Sequence, residues 1–122
     1  MYTIRGAITV EKNKEKDINE AVKTMLKTII EKNNLHKKDI INFTFSTTDD
    51  LDAVYPGKAV REMGFTQTTI MCLQEMYVDN SLSKCIRVLL YINKNLEKDK
   101  VKHIYLKKAA KLRKDLNFLS EE

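Results

Sequence analysis

Residues 85–92 read CIRVLLYI and decide the fold, because they combine a strand pattern with one charge. Successive side chains of a strand point to opposite faces of its sheet. One face of this stretch is wholly apolar, and we assign it to a packed core; it consists of Ile86, Val88, Leu90 and Ile92. The other face carries the charge; it consists of Cys85, Arg87, Leu89 and Tyr91.

Arg87 therefore needs an anion. Its neighbours on that face are largely apolar, so the face is expected to meet a second subunit or a pocket rather than bulk water, and an unpaired charge there would cost several kcal/mol, on the order of 3–5. Glu75 lies a short loop away in sequence. Arg87 and Glu75 could form a simple ion pair, or both could bind a polar ligand, and the spacing alone does not choose between these alternatives.

The composition predicts one globular domain. The chain has 122 residues, of which 43% are hydrophobic and 32% charged. No apolar run approaches the roughly 20 residues that span a bilayer, and the N-terminus lacks a signal-peptide layout. We therefore expect a cytoplasmic protein with no membrane partner. Its two cysteines and two histidines fit no metal-ligand spacing, which predicts no metal site and free thiols.

The net charge of +5 comes from 22 basic and 17 acidic residues. Dispersed lysines account for 18 of the basic residues, and binding to nucleic acid would instead need aromatic residues interleaved with basic ones on one face. We therefore expect no nucleic-acid partner. The planar fork of an arginine binds a carboxylate with two parallel hydrogen bonds, which makes the four arginines more informative. These are Arg5, Arg61, Arg87 and Arg113.

The pattern along the chain predicts an α+β fold in the order β-α-β-α-β-β. Strands are expected at residues 2–10, 40–46, 68–73 and 85–93. A helical apolar face runs over residues 18–30, and either Asp17 (with Glu20 three residues on) or Asn13 is a candidate N-cap. A second, short helix has Pro56 in its first turn and Gly64 at its C-terminal stop. The helices are expected to pack on one face of a mixed sheet.

The end of the chain is ambiguous. Residues 103–116, HIYLKKAAKLRKDL, favour a helix by propensity, but their surroundings could force part of them into a short final strand.

Several blocks of the sequence form a recognisable set. They are IRGAITVE (4–11), AVYPGKAVRE (53–62), MCLQEM (71–76), KCIRVLLYI (84–92), HIYL (103–106) and LRKDL (112–116). Together these blocks resemble the AroH-class chorismate mutases. The resemblance covers nearly the whole chain in the same order, and all four arginines fall inside the blocks. It implies a single chorismate mutase domain over residues 1–122, with about 114–122 as a mobile tail. It also implies a homotrimer with a pseudo α/β-barrel sheet core and active sites between subunits.

The resemblance further implies the reaction and the site. Such enzymes convert chorismate to prephenate by a Claisen rearrangement, without a cofactor, in the biosynthesis of phenylalanine and tyrosine from the product of the shikimate pathway. Arg87 would be a catalytic cation against the ether oxygen, and Glu75 the catalytic acceptor of the ring hydroxyl. The substrate-binding residues would be Arg5, Met71, Cys72, Leu73, Gln74, Tyr105, Tyr55, Gly57, Lys58, Arg61, Leu112 and Arg113. Of these, Arg5 and Tyr105 would hold a substrate carboxylate.

The remaining implied roles concern a neighbouring subunit and the chain end. The short helix with Tyr55, Gly57, Lys58 and Arg61 would come from the neighbour, and Leu112 with Arg113 would close over the ligand. The chain departs from the family pattern at Tyr55, where phenylalanine is familiar, at Gly57, where alanine is, and at Met71, which replaces a smaller polar residue. An alternative function is a trimeric imine- or enamine-hydrolysing enzyme of similar architecture.

Overall fold

The strands form one mixed sheet in the computed structural model, which describes residues 1–119. Within that range the sheet has five strands in the spatial order β3-β2-β4-β1-β5. They are β1 (Tyr2–Thr9), β2 (Ile40–Thr47), β3 (Thr69–Gln74), β4 (Cys85–Ile92) and β5 (Ile104–Leu106). β4 runs antiparallel to β1 and β2, while β2 pairs with β3, and β1 with β5, in parallel. The predicted mixed sheet and its element order are confirmed.

Two α-helices of the described residues pack on one face of the sheet. They are α1 (Glu15–Lys32) and α2 (Gly57–Glu62). The apolar stripe predicted for α1 is buried, and so is the apolar face of β4 that we assigned to the core. Phe43 and Phe45 of β2 complete that core between the helices and the sheet. The apolar stripe of α1 and the apolar face of β4 thus bury their surfaces in one core. This burial of apolar area is the main stabilising term of the fold.

The predicted N-caps of α1 are wrong. The N-cap is Lys14, and its side chain donates and accepts no capping hydrogen bond within residues 1–119. Asp17 lies in the first turn instead, and Asn13 bonds to a distant loop, where its Oδ1 accepts the backbone N–H groups of Asp52 and Ala53, both at 3.1 Å. A tertiary contact has therefore replaced the local cap that the sequence pattern indicates.

The predicted limits of α2 are confirmed. Pro56 is its N-cap, where a missing N–H costs nothing. Gly64 follows the C-cap Met63 with φ 91°, a left-handed conformation that glycine adopts without strain.

Both alternatives for the chain end hold in part. Residues 104–106 form β5, and the helical tendency appears only as a 3₁₀ turn at Lys107–Lys111. Residues 112–119 then fold back on β5, where His103 and Asn117 form a parallel bridge. The mobility predicted for residues 114–122 stays a prediction, and 120–122 lie outside the described residues. None of the helices in residues 1–119 is long and apolar enough to cross a membrane.

Gly6 lies where α1, β4 and β5 meet. A Cβ atom added there would lie 2.7 Å from Ile29 Cδ1, 3.2 Å from Val88 Cγ1 and 3.3 Å from the carbonyl oxygen of Ile104. We expect Gly6→Ala to lower the free energy of unfolding by about 1–3 kcal/mol, because overpacking forces neighbours out of place. Urea unfolding measures the change. Thr24→Ala, on the exposed side of α1, is the control and should change stability by less than about 0.5 kcal/mol; equal effects would contradict the crowding at Gly6.

Candidate active site

One row of residues crosses the whole sheet on the face opposite the helices. It takes one residue from each strand in spatial order, and it consists of Leu73, Ser46, Arg87, Ala7 and Tyr105. Ala7 is buried, and its small side chain separates Arg87 on one side from Tyr105 on the other. The register of the sheet, rather than closeness in sequence, thus brings Arg87 and Tyr105 to one place.

Arg87 pairs with Glu75 of its own chain. Arg87 Nε lies 2.6 Å from Glu75 Oε1, yet within residues 1–119 this buried nitrogen has no aligned hydrogen-bond acceptor. The contact is therefore an ion pair in which the N–H is poorly aligned with the oxygen. The hydroxyl of Ser46 donates to the same Oε1 at 3.4 Å, and the backbone N–H of Glu75 donates to the Thr47 carbonyl at 2.8 Å. The ion pair that the sequence left open as an alternative is therefore present, with a donor of Arg87 still unused.

The hydroxyl of Tyr105 faces positive charge. Tyr105 is 2% exposed, and its Oη has no hydrogen-bond partner within the described residues. Burial raises the pKa of this phenol, whereas the charges of Arg5, Arg113 and Arg87 act to lower it. The hydroxyl stays protonated at neutral pH, and a buried hydroxyl without a partner is costly. We call Arg5, Arg87 and Arg113 the arginine cluster; with Tyr105 it is an array of donors suited to an anionic ligand.

A small apolar cluster lies under Arg87. Cys85 packs there with Ala7, Tyr105 and Ala109, and Leu112 covers it from the chain end. Burial raises the pKa of the Cys85 thiol to about 11, against the opposing effect of Arg87. Cys85 was assigned to a face that meets another subunit or a pocket, but its own chain buries it completely. It is a neutral support rather than a reactive thiol.

Arg113 is held by Asp115 in the free chain. Its Nε and Nη2 donate to the two carboxylate oxygens at 3.1 and 2.9 Å, a bidentate fork on the surface. This hydrogen-bonded pairing raises the pKa of Arg113 and lowers the pKa of Asp115. Because the pair is exposed, it is a weak contact that another carboxylate can replace.

The other predicted site residues lie elsewhere in the same chain. Tyr55, Cys72, Leu73 and Gln74 line an open groove of about 560 Å³ between the start of α2 and the end of β3. Cys72 lies on the helix face of the sheet, since it pairs with the buried Phe45 and packs against the main core.

The short helix α2 adjoins this groove. A Cβ atom at Gly57 would lie 3.7 Å from Cys72 Sγ and 3.6 Å from Arg61 Nη1, so that guanidinium lies near the groove. The ammonium of Lys58 pairs with Glu15 at 3.2 Å, and Met71 is exposed on the opposite face of β3.

One chain therefore brings together only part of the predicted site. Arg5, Glu75, Arg87, Tyr105 and Arg113 meet on the open face of the sheet, with Leu112 at its border. The residues of the groove and of α2 lie across β3 from them; they are Tyr55, Gly57, Lys58, Arg61, Cys72 and Gln74. In residues 1–119 there is no group of three or more His, Cys, Asp or Glu side chains that could hold a metal ion.

Sequence reasoning missed two residues that support the site. The ring of His103 accepts the backbone N–H of Arg5 at Nδ1, 2.9 Å away, and burial, followed by the charges of Arg5 and Arg113, lowers its pKa. The carboxamide of Asn117 accepts the backbone N–H of Tyr105 and donates to its carbonyl, both at 3.1 Å. His103 is the first residue of the block HIYL, so its position was a usable signal, whereas Asn117 offered none.

Comparisons with known proteins agree on one family. The family model described as chorismate mutase type I matches residues 1–116. A protein named chorismate mutase AroH from Bacillus subtilis is 43% identical over 115 residues, which cover 93% of this chain and 91% of that protein. A protein of the same name from Thermus thermophilus is 35% identical over 114 residues, which cover 93% of this chain and 93% of that protein. The solved structure of a chorismate mutase from Clostridium thermocellum matches with a TM-score of 0.87 and 44% identity, covering 89% of this chain and 97% of that one.

The neutral imidazole of His103 predicts a pH dependence of stability. The unfolded chain binds a proton at this ring near pH 6.5, but the folded chain binds it only at lower pH. The contribution of the neutral ring to the free energy of unfolding should therefore be fully present above that pH. It should be lost as the pH falls through the lower, folded-state pKa. Urea unfolding between about pH 7.5 and pH 5 measures it. His103→Gln should flatten this part of the curve; parallel curves for the two proteins would contradict the assignment.

Proposed function

Since the chain belongs to the type I chorismate mutase family and is an isomerase that rearranges chorismate to prephenate, we propose that the arginine cluster, Glu75 and Tyr105 carry the reaction. The supporting observation is the buried hydroxyl of Tyr105, which faces Arg5, Arg87 and Arg113 without a hydrogen-bond partner in residues 1–119. Chorismate carries two carboxylates, and such an array of donors matches a dianion. The comparisons favour this reaction over the imine- or enamine-hydrolysing alternative.

The chemistry needs charge stabilisation rather than proton transfer. The rearrangement breaks an ether C–O bond while a C–C bond forms, so negative charge grows on the ether oxygen. A preorganised donor at that oxygen contributes about 2.7–4 kcal/mol to the barrier decrease. We assign this role to Arg87, whose Nε–H has no aligned acceptor within the described residues. Glu75, fixed beside it by Ser46 and by its own backbone, accepts the ring hydroxyl. The proposed mechanism uses no cofactor.

The carboxylates of chorismate are assigned to the remaining cations. Arg5 and Tyr105 hold one carboxylate at the border between β1 and β5. Arg113 offers the fork that Asp115 occupies in the free chain, and Leu112 closes the same side. Holding both carboxylates selects the compact reactive conformer of a flexible substrate on binding, which raises kcat/KM.

We further propose that a neighbouring subunit completes each site within a homotrimer. The groove residues and α2 lie across β3 from the arginine cluster of their own chain, so they would serve the cluster of the next subunit. These residues are Tyr55, Gly57, Lys58, Arg61, Cys72 and Gln74, whereas Met71 and Leu73 lie on the open face of β3. Exposed apolar side chains on and after β3 support the association, and include Met71, Leu73, Met76, Tyr77 and Val78. The cytoplasmic location stays a prediction.

The purified protein should convert chorismate to prephenate without any added cofactor, and Arg87→Lys should lower kcat at least about 100-fold. A compact ammonium cannot reproduce the directed N–H groups of a guanidinium. The decrease in chorismate absorbance measures the rate, and the unfolding midpoint verifies that the variant is folded. Absence of turnover by the folded wild type would contradict the function, and a near-wild-type rate for Arg87→Lys would contradict the role of Arg87.

A mixture of two inactive variants tests whether sites are shared. Arg87→Ala inactivates the arginine cluster and keeps the groove intact. Arg61→Ala removes a cation beside the groove and keeps the arginine cluster intact. In a cyclic trimer, every mixed assembly contains one interface with both halves intact, so random mixing should restore about one quarter of the wild-type sites. Coexpression followed by the chorismate assay measures this, with each variant alone as the control. Activity equal to the average of the two variants would contradict the shared site.

A further inference from the structure

Asn117 occupies the position that a sixth strand would take. β5 has three residues and pairs with β1 along one edge. At its other edge the carboxamide of Asn117 accepts the N–H of Tyr105 and donates to the carbonyl of Tyr105, each at 3.1 Å. Asn117 is only 6% exposed, so water does not readily replace these contacts. One side chain thus satisfies both backbone groups of Tyr105 that a neighbouring strand would satisfy.

The backbone around Asn117 ties the chain end to the same strand. The N–H of Phe118 donates to the carbonyl of His103 at 2.8 Å, and the N–H of Asn117 donates to the carbonyl of Arg113 at 2.9 Å. The ring of His103 in turn accepts the N–H of Arg5. The backbones of Arg5, Tyr105 and Arg113 are therefore linked by hydrogen bonds that pass through His103 and Asn117.

Such a link is needed because β5 alone holds Tyr105 weakly. A three-residue strand paired on one side leaves the backbone of its central residue free to shift, and a shift there moves the phenol. The phenol must stay near Arg5 and Arg87, which lie on other strands. Without the carboxamide, the N–H and carbonyl of Tyr105 would be buried without partners, which favours rearrangement of β5.

We propose that Asn117 is a positioning residue of the chorismate site. Its carboxamide fixes the backbone of Tyr105 and holds residues 112–116 beside the arginine cluster, so that the carboxylate-binding groups are in place before chorismate arrives. This inference rests on the proposed function. It concerns groups that hold the carboxylates in the ground state and in the transition state alike, and loss of such uniform binding raises KM and leaves kcat nearly unchanged.

The first experiment removes the carboxamide. Asn117→Ala should raise KM for chorismate about tenfold and keep kcat within about threefold of wild type, at a temperature well below its unfolding midpoint. Hydrogen exchange at the Tyr105 amide should become faster in the free variant. A residue that only stabilises the fold would lower the unfolding midpoint without changing KM. An unchanged KM in a folded variant therefore overturns the proposal.

The second experiment replaces the carboxamide by a titratable group. The carboxylate of Asn117→Asp can accept the N–H of Tyr105 but cannot donate to its carbonyl, whereas the protonated acid can do both. The ratio of kcat/KM for Asn117→Asp to that for wild type should therefore rise several-fold as the pH falls from about 7 to about 5. Because Asn117 bridges to His103, both proteins carry His103→Gln in this experiment, so that the titration of His103 does not contribute to the ratio. Asn34→Asp, on an exposed turn, is the control and should give a flat ratio.

The possible outcomes distinguish a failure of the proposed function from a failure of the positioning role of Asn117. A folded wild type that does not convert chorismate overturns the proposed function, and the exchange rate at Tyr105 then still tests the structural link. An active wild type with a pH-independent ratio for Asn117→Asp overturns the positioning role alone. If Asn117→Ala does not fold, the ratio measured on Asn117→Asp decides.

Discussion

The guanidinium of Arg87 on an otherwise apolar central strand is the constraint on which the site depends. β4 lies between β1 and β2, so the environment of Arg87 is set by the residues that pair with it, Ala7 and Ser46. Both are small, which leaves space for the fork, and Ser46 also orients Glu75. A charge in this position would destabilise the fold if it had no counterion. The carboxylate of Glu75 offsets that cost, while the Nε–H of Arg87 has no aligned acceptor within residues 1–119.

The titratable side chains of Tyr105, Cys85 and His103, beside the arginine cluster, are neutral at pH 7, so they do not change the positive charge of the site. Burial raises the pKa of Tyr105 and of Cys85, so both stay neutral at pH 7. Burial and neighbouring positive charges lower the pKa of His103, so its ring is neutral there as well. None of these three side chains therefore carries a charge at pH 7. A reaction without proton transfer gains from a constant positive field, and general acid–base catalysis would instead require a group that titrates near the working pH.

The sequence predicted the features that depend on local periodicity. The alternation in CIRVLLYI identified the buried face of β4, and the spacing in α1 identified its core stripe, because burial imposes the period of each element. Predictions that depended on a choice among polar partners were less successful. Asn13 forms contacts with a loop about 40 residues away rather than a cap, and the pairing of Asn117 with Tyr105, 12 residues away, was not predicted. An asparagine has many possible partners, and its sequence position does not specify which one the fold brings near.

In the proposed trimer, the difference between the two edges of the sheet would let one chain carry parts of two sites. Asn117 and the bridge at His103 cover the outer edge of β5, so Tyr105 can hold a fixed position within a single subunit. β3 forms the opposite edge, and its exposed side chains include the apolar Met71 and Leu73. An open strand edge with apolar neighbours favours association with another chain. The covered edge thus suits the groups that must be oriented before binding, and the open edge suits assembly. In the proposed trimer, assembly at β3 would bring the groove of one subunit to the arginine cluster of the next, so that catalysis would depend on association.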